Sequence, residues 1–213
     1  GKGAYIYAYS DVPYEQYIPF IEYVIAYLQL PAAYYPLNEI INNKVSDYSG
    51  NNNTGTVATT GVTSVVDTIE GKVLQFDGST GNIRIPTTNI GTGNELTIMF
   101  RVYPEEQIAG TYNFHKDMVR SQCYGGGSFG ISTEQNFNTN GLLAILTQWI
   151  GTPTWWVPTT SVVINQWSNI AVTLNRNTGL AKLFINGIFK EQTLITVGTK
   201  LITTGFSIAG DCA

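Results

Sequence analysis

The sequence predicts an all-β protein, a sandwich or a barrel, and three observations carry that reading. Polarity comes from Thr, Asn, Ser and Gly: only 12% of the 213 residues are charged, about half the usual share. Thr and Tyr favour a pleated surface, and Gly and Asn favour turns. Short runs alternate apolar and polar residues at a period of two, and tight-turn signals separate them, as antiparallel strands require. With 43% hydrophobic residues and a mean hydropathy of +0.01, the chain has enough apolar surface for a core, which excludes a disordered protein.

Composition changes near residue 33, dividing the chain into a Tyr-rich N-terminal segment, 1–32, and a β-domain, 33–213. Nine of the 13 tyrosines lie in residues 1–35. Residues 4–9 alternate Tyr with Ala and Ile and suit a strand. Ser10, Asp11, Pro13 and Glu15 form a helix start, after which Tyr14, Tyr17, Ile18, Ile21, Val24, Ile25 and Leu28 recur at helical spacing. Pro19 starts or kinks any such helix, and the aromatic stripe is read as packing surface. The most apolar stretch, 18–30, is too short for a membrane span and contains Pro19, Glu22 and Gln29. It has no basic lead-in beyond Lys2 and so is not a signal peptide. A first residue Gly1 rather than Met is read as a processed or partial chain.

Strands are expected at 73–76 and 83–85, either side of the turn at Asp77-Gly78-Ser79. A longer one spans 95–103 and stops at Pro104. Residues 128–132 and 142–149 follow, then 167–174 and 180–185, joined through Asn175-Arg176-Asn177-Thr178-Gly179. Asn186-Gly187 is a two-residue hairpin turn leading into 188–190. Phe76, Phe100, Val102, Trp167, Ile170, Val172 and Phe184 are the expected inward residues of two facing sheets.

Five segments, in order, resemble the laminin-G-like, concanavalin A-like jelly-roll domains. They are Ala33-Tyr34-Tyr35-Pro36-Leu37-Asn38; then Ser46-Asp47-Tyr48-Ser49-Gly50-Asn51-Asn52-Asn53-Thr54-Gly55; then Gly71-Lys72-Val73-Leu74-Gln75-Phe76-Asp77-Gly78. Leu96-Thr97-Ile98-Met99-Phe100-Arg101-Val102 follows, and last comes Trp167-Ser168-Asn169-Ile170-Ala171-Val172-Thr173-Leu174 with Leu183-Phe184-Ile185-Asn186-Gly187. The resemblance covers about residues 33–210 and implies a two-sheet antiparallel β-sandwich. It does not fix a function, since this fold carries many. Some such domains hold calcium through loop carboxylates and carbonyls, which implies Asp47 and Asp77 as candidate ligands. Calcium takes about six to eight oxygens, so a site this poor in carboxylates needs many carbonyls or waters; otherwise both residues brace turns. Such domains also usually continue past residues 206–210 with another edge strand and a short tail. Here residues 5–15 are similar to that tail. The N-terminal segment is therefore expected to close an exposed edge, in this chain or a neighbouring one, or to end a preceding repeat.

Catalysis is not expected. His115 is the sole histidine, beside Lys116 and Asp117, and reads as a strand-end residue. The Glu-x-Asp-x-x-Glu run of glycosidases on this fold is absent, and Glu105 and Glu106, being adjacent, fall on opposite faces of a strand. No phosphate loop, dinucleotide fingerprint or His/Cys metal spacing occurs. Cys123 and Cys212 either pair, which suits an oxidising compartment, or are unrelated. A net charge of −4 and a pI near 4.9 argue against nucleic acid or an anionic membrane as partner. Trp155 and Trp156, between Pro153 and Pro158 in a loop-like stretch, suit stacking on sugar faces. Trp149, Gln148 and Tyr124, the last beside Gly125-Gly126-Gly127, are further candidates. The competing reading places Trp149 and one of the tandem tryptophans in the core. The expected function is thus a surface-exposed or extracellular module binding a cell-surface glycan or protein. The alternative is a structural subunit of a virion or extracellular filament that assembles through its sheet edges.

Overall fold

The computed structural model describes residues 31–58, 60–86, 94–105, 117–121, 128–133, 143–148, 154–195 and 205–209. Among these residues there are fourteen strands and no helix. They are β1 (Lys44–Val45), β2 (Gly55–Val57), β3 (Val62–Asp67), β4 (Gly71–Phe76), β5 (Ile83–Ile85), β6 (Glu95–Val102) and β7 (Asp117–Ser121). Then come β8 (Ser128–Thr133), β9 (Leu143–Gln148), β10 (Thr154–Trp156), β11 (Ser168–Asn175), β12 (Leu180–Ile185), β13 (Ile188–Leu194) and β14 (Phe206–Ile208). The large sheet runs β1-β2-β5-β14-β7-β8-β9-β10 and the small sheet β13-β12-β11-β6, with β3-β4 as a separate hairpin. Every pairing is antiparallel, so the expected two-sheet sandwich is the fold found. The Tyr-rich segment 1–30 and its expected edge-filling role lie outside the described residues, as do His115, Cys123 and Cys212.

Alternation decides which face is core. In β11, Ile170, Val172 and Leu174 are buried while Asn169 is exposed and Ala171 and Thr173 are half-buried. Its neighbours match in register: Phe100 and Ile185 flank Ile170, and Ile98 and Leu183 flank Val172. From the large sheet, Val45, Ile83, Val119, Phe129, Ile131, Ile145 and Phe206 complete one continuous apolar cluster that extends from Ala33 to Ile208. Burying each such side chain contributes roughly 1.5–3 kcal/mol.

The turns are sequence-local. Asn186 (φ 53°) and Gly187 (φ 76°) both take positive φ, as the hairpin turn from β12 to β13 requires. Asn175 Oδ1 accepts from the N–H groups of Asn177 and Thr178 at 3.0 Å and so shapes the turn from β11 to β12. β13 runs on to Leu194, four residues beyond the expected 190.

Two inward assignments are corrected. Phe184 is half-buried on the outer face of the small sheet, where its ring meets Phe189 edge-on at 5.7 Å. Leu183 and Ile185 on either side of it are the buried ones. Trp167 is also only half-buried, three residues before Ile170 and therefore on the opposite face. Phe76 and Val102 pack against the core while partly exposed.

Candidate functional site

The tandem tryptophans lie on a strand rather than in a loop. Among the described residues β10 is the terminal strand of the large sheet, with Trp155 opposite Leu146 and Trp156 opposite Ile145 of β9. Pro153 and Pro158 suggest a loop in the sequence; Pro153 lies outside the described residues, and Pro158 follows the strand, where a missing N–H breaks no ladder. Trp156 is half-buried and packs against the core cluster. Gln148 ends β9 and pairs with Ser128 of β8. Trp149 and Tyr124 fall outside the described residues.

The chain after β10 ties this edge to the other sheet. The Thr159 N–H and hydroxyl each donate to the Glu191 carboxylate of β13 at 3.0 Å, and the Thr160 N–H donates to it as well. Partial burial disfavours the charge on Glu191, but these hydrogen bonds outweigh it and hold the carboxyl below its usual range. Val157, between the tryptophans and this clamp, is 41% exposed.

Both candidate calcium carboxylates hold backbone turns. Asp47 accepts from the N–H groups of Tyr34, Ser49 and Asn53, each at 2.9 Å, and from the Ser49 hydroxyl at 2.9 Å. Desolvation works against its charge, and the four donors more than offset it, so its pKa is lowered. Asp77 accepts from the Gly81, Ser79 and Thr80 N–H groups and from the Thr80 hydroxyl, all within 2.9 Å. The Gly81 and Ser79 amides lead in holding its carboxyl far below the usual carboxylate range. At Asp47 each carboxylate oxygen accepts two of these hydrogen bonds, so a cation has to displace a donor, whereas Asp77 Oδ2 accepts only from the Thr80 hydroxyl. Among the described residues no group of three or more His, Cys, Asp or Glu is arranged to hold a metal.

One cluster was not anticipated. Glu70, wholly buried, pairs with Arg101 of β6, and the Arg101 guanidinium lies over the Trp167 ring at 5.6 Å. Tyr103 meets the same ring edge-on at 5.6 Å, and Trp167 Nε1 donates to Asp67 Oδ1 at 3.3 Å. Asp67 in turn accepts from the N–H groups of Ile69 and Glu70 at 2.8 Å. The turn from β3 to β4 is thereby fastened to the end of the small sheet. The partners are 31 and 100 residues apart, and no local pattern brings them together.

The family model described as the concanavalin A-like lectin/glucanases superfamily matches residues 77–211. No curated protein sequence matches the chain. Among solved structures, domain 4 of AbnA, an extracellular arabinanase from Geobacillus stearothermophilus in complex with arabinotriose, is 19% identical with a TM-score of 0.56. The alignment covers 78% of this chain and 78% of that one. The binding domain of botulinum neurotoxin DC in complex with SialylT is 16% identical with a TM-score of 0.57, over 80% of this chain and 41% of that one. A Trypanosoma rangeli sialidase is 14% identical with a TM-score of 0.56, over 86% and 28% respectively. The chain thus spans less than half of the neurotoxin and sialidase chains, and at these identities the likeness is one of fold.

Proposed function

Because the chain belongs to the concanavalin A-like lectin/glucanases superfamily, matched over residues 77–211, we propose that it is a non-catalytic, surface-exposed recognition module for carbohydrate. The observation that carries this reading is the position of Trp155 and Trp156 on β10, which among the described residues is an end strand of the large sheet. An edge strand can offer aromatic surface to a ligand without opening the core. The arabinotriose and SialylT complexes of structurally similar domains support the ligand class. Trp155, Trp156, Gln148, Trp149 and Tyr124 are the proposed contact residues.

Glycan-array binding of the Trp155→Ala and Trp156→Ala variants tests it. Loss of binding by about tenfold or more, the mark of an aromatic hot spot, is expected for at least one. Trp156→Ala also lowers stability, by about 1–3 kcal/mol, since part of that ring packs on the core. Unchanged sugar binding in both variants rules the site out. Calcium at Asp47 or Asp77 remains part of the proposal, and a calcium titration by calorimetry, repeated on Asp77→Asn, decides it.

A second reading, a structural subunit assembling through sheet edges, is favoured by β13. This terminal strand of the small sheet exposes Ile188 (61%), Phe189 (49%) and Leu194 (75%). If it prevails, the full chain sediments as an oligomer, and either Phe189→Lys or deletion of residues 1–30 disperses it. A monomer at every concentration rejects it.

A further inference from the structure

The large sheet has a second end, at β1, and there the surface is dished. Pro36, Asn38, Glu39, Lys44, Ser46 and Tyr48 are among the residues that line a shallow depression open to solvent. It is a shallow dish, fit to seat the face of one ring rather than to enclose a cofactor.

Its walls are held before any ligand arrives. Ile41 and Lys44 exchange backbone hydrogen bonds of 3.0 and 2.9 Å around Asn42 (φ 52°) and Asn43 (φ 57°), a tight turn that fixes one rim. The Tyr48 N–H donates to the Tyr34 carbonyl at 2.8 Å, and the Tyr34 ring braces the Tyr48 ring edge-on at 6.4 Å. The braced Tyr48 ring is nevertheless 61% exposed. Leu37, also in the lining, sits at φ 55°, a backbone region that aliphatic residues rarely adopt.

The polar groups of the rim differ in kind. Glu39 only accepts hydrogen bonds, Lys44 only donates, and the Ser46 hydroxyl does both. Lys44 Nζ spends one N–H on the Thr56 hydroxyl at 2.6 Å, leaving two for a ligand. A sugar ring presents an apolar C–H face and hydroxyls that both donate and accept, which matches an exposed aromatic ring beside such a rim. The charges of Glu39 and Lys44 cancel, so the dish has no net attraction for a sialic or uronic acid.

We propose that this dish is a second saccharide subsite, seating one neutral sugar ring against Tyr48. The inference rests on the reading of the chain as a carbohydrate-binding module, but not on Trp155 and Trp156. Seven interstrand spacings of about 4.8 Å separate the two ends of the sheet, so the subsites engage separate glycan termini and add avidity rather than extend one groove.

An NMR titration of the full chain with neutral oligosaccharides and their sialylated counterparts tests it, with glycan-array binding of Tyr48→Ala, Tyr48→Phe and Trp155→Ala alongside. Neutral sugars are expected to shift the amides of Lys44, Ser46 and Tyr48. Tyr48→Ala weakens neutral-sugar binding by about tenfold, Tyr48→Phe stays within about twofold because the ring is kept, and Trp155→Ala leaves the shifts at 44–48 intact. Should Tyr48→Ala misfold, Lys44→Ala takes its place, with the same loss expected. Neutral-sugar binding that moves no amide in 44–48 and survives Tyr48→Ala overturns this inference and leaves the tryptophan site standing. A preference for sialylated sugars at these amides overturns the neutral class. Absence of binding to any sugar overturns both readings.

Discussion

Single side chains anchor this molecule through contacts that strand patterns do not specify. Glu70 is the sharpest case: a wholly buried carboxylate held by Arg101, whose side chain is 20% exposed. Removing one partner of a buried ion pair leaves the other charge uncompensated, at a cost of about 3–5 kcal/mol when both are fully buried. Partial exposure of Arg101 moderates this, so Glu70→Ala is expected to destabilise by about 2–4 kcal/mol, read by urea denaturation. A change below about 0.5 kcal/mol, the level of an ordinary surface substitution, shows that the pair is not a fastening. The turn carboxylates act through pH. Asp47 and Asp77 have folded-state pKa values below their unfolded ones, so the unfolded chain binds more protons between the two values. Their contribution is fully present above about pH 4 and is lost as pH falls through the folded values. Asp77→Ala therefore flattens the acid limb of a Tm-against-pH curve. A limb as steep as in the parent counts against the role given to Asp77.

At the level of elements, hairpins with local turn chemistry were legible and distant pairings were not. Asn186-Gly187 and the 175–179 turn carry their own instructions, and β11, β12 and β13 lie where those turns place them. The strand 180–185 is harder, because Leu183, Phe184 and Ile185 are all apolar and either face is consistent with the sequence. Register with β11 settles it: Leu183 opposite Val172 and Ile185 opposite Ile170 are buried, which leaves Phe184 outside opposite Ala171. Trp167 was legible by parity with Ile170, had its size not suggested the core. The strand at 73–76 was legible as β4, but its partner β3, with β1, β2, β7 and β10, went unread because those runs are short or mix polar with apolar residues. The start of that hairpin depends on two glycines. A Cβ on Gly81 meets the Gly61 carbonyl oxygen at 2.0 Å, and Gly61 itself sits at φ 80°. Gly81→Ala should therefore cost about 1–3 kcal/mol, as overpacking does, measurable as a lower Tm. Parent-like stability in that variant means that the 61–81 contact opens freely.

For the whole molecule, the long-range pairings set the folding rate. β14, at residues 206–208, lies between β5 at 83–85 and β7 at 117–121, so the large sheet cannot close until the end of the β-domain arrives. Closing such loops precedes the contacts that reward it, and refolding is expected in milliseconds to seconds or slower, measured by stopped-flow fluorescence. A microsecond phase carrying the full amplitude contradicts this order of assembly. The sequence by itself determined the all-β class, the superfamily, the two-residue turn at 186–187 and the inward positions of Phe100 and Val102 in β6 and of Ile170 and Val172 in β11. Each of these depends on neighbours within a few residues, where periodicity and turn chemistry act. Tertiary structure alone decided that Trp155 and Trp156 lie on a terminal strand, that Glu70 meets Arg101 and Asp67 meets Trp167, and that Tyr48 stands exposed over a dish beside β1. Those juxtapositions arise from which strands become neighbours and which become edges, and strand order is fixed by packing two sheets around one core rather than by any single segment.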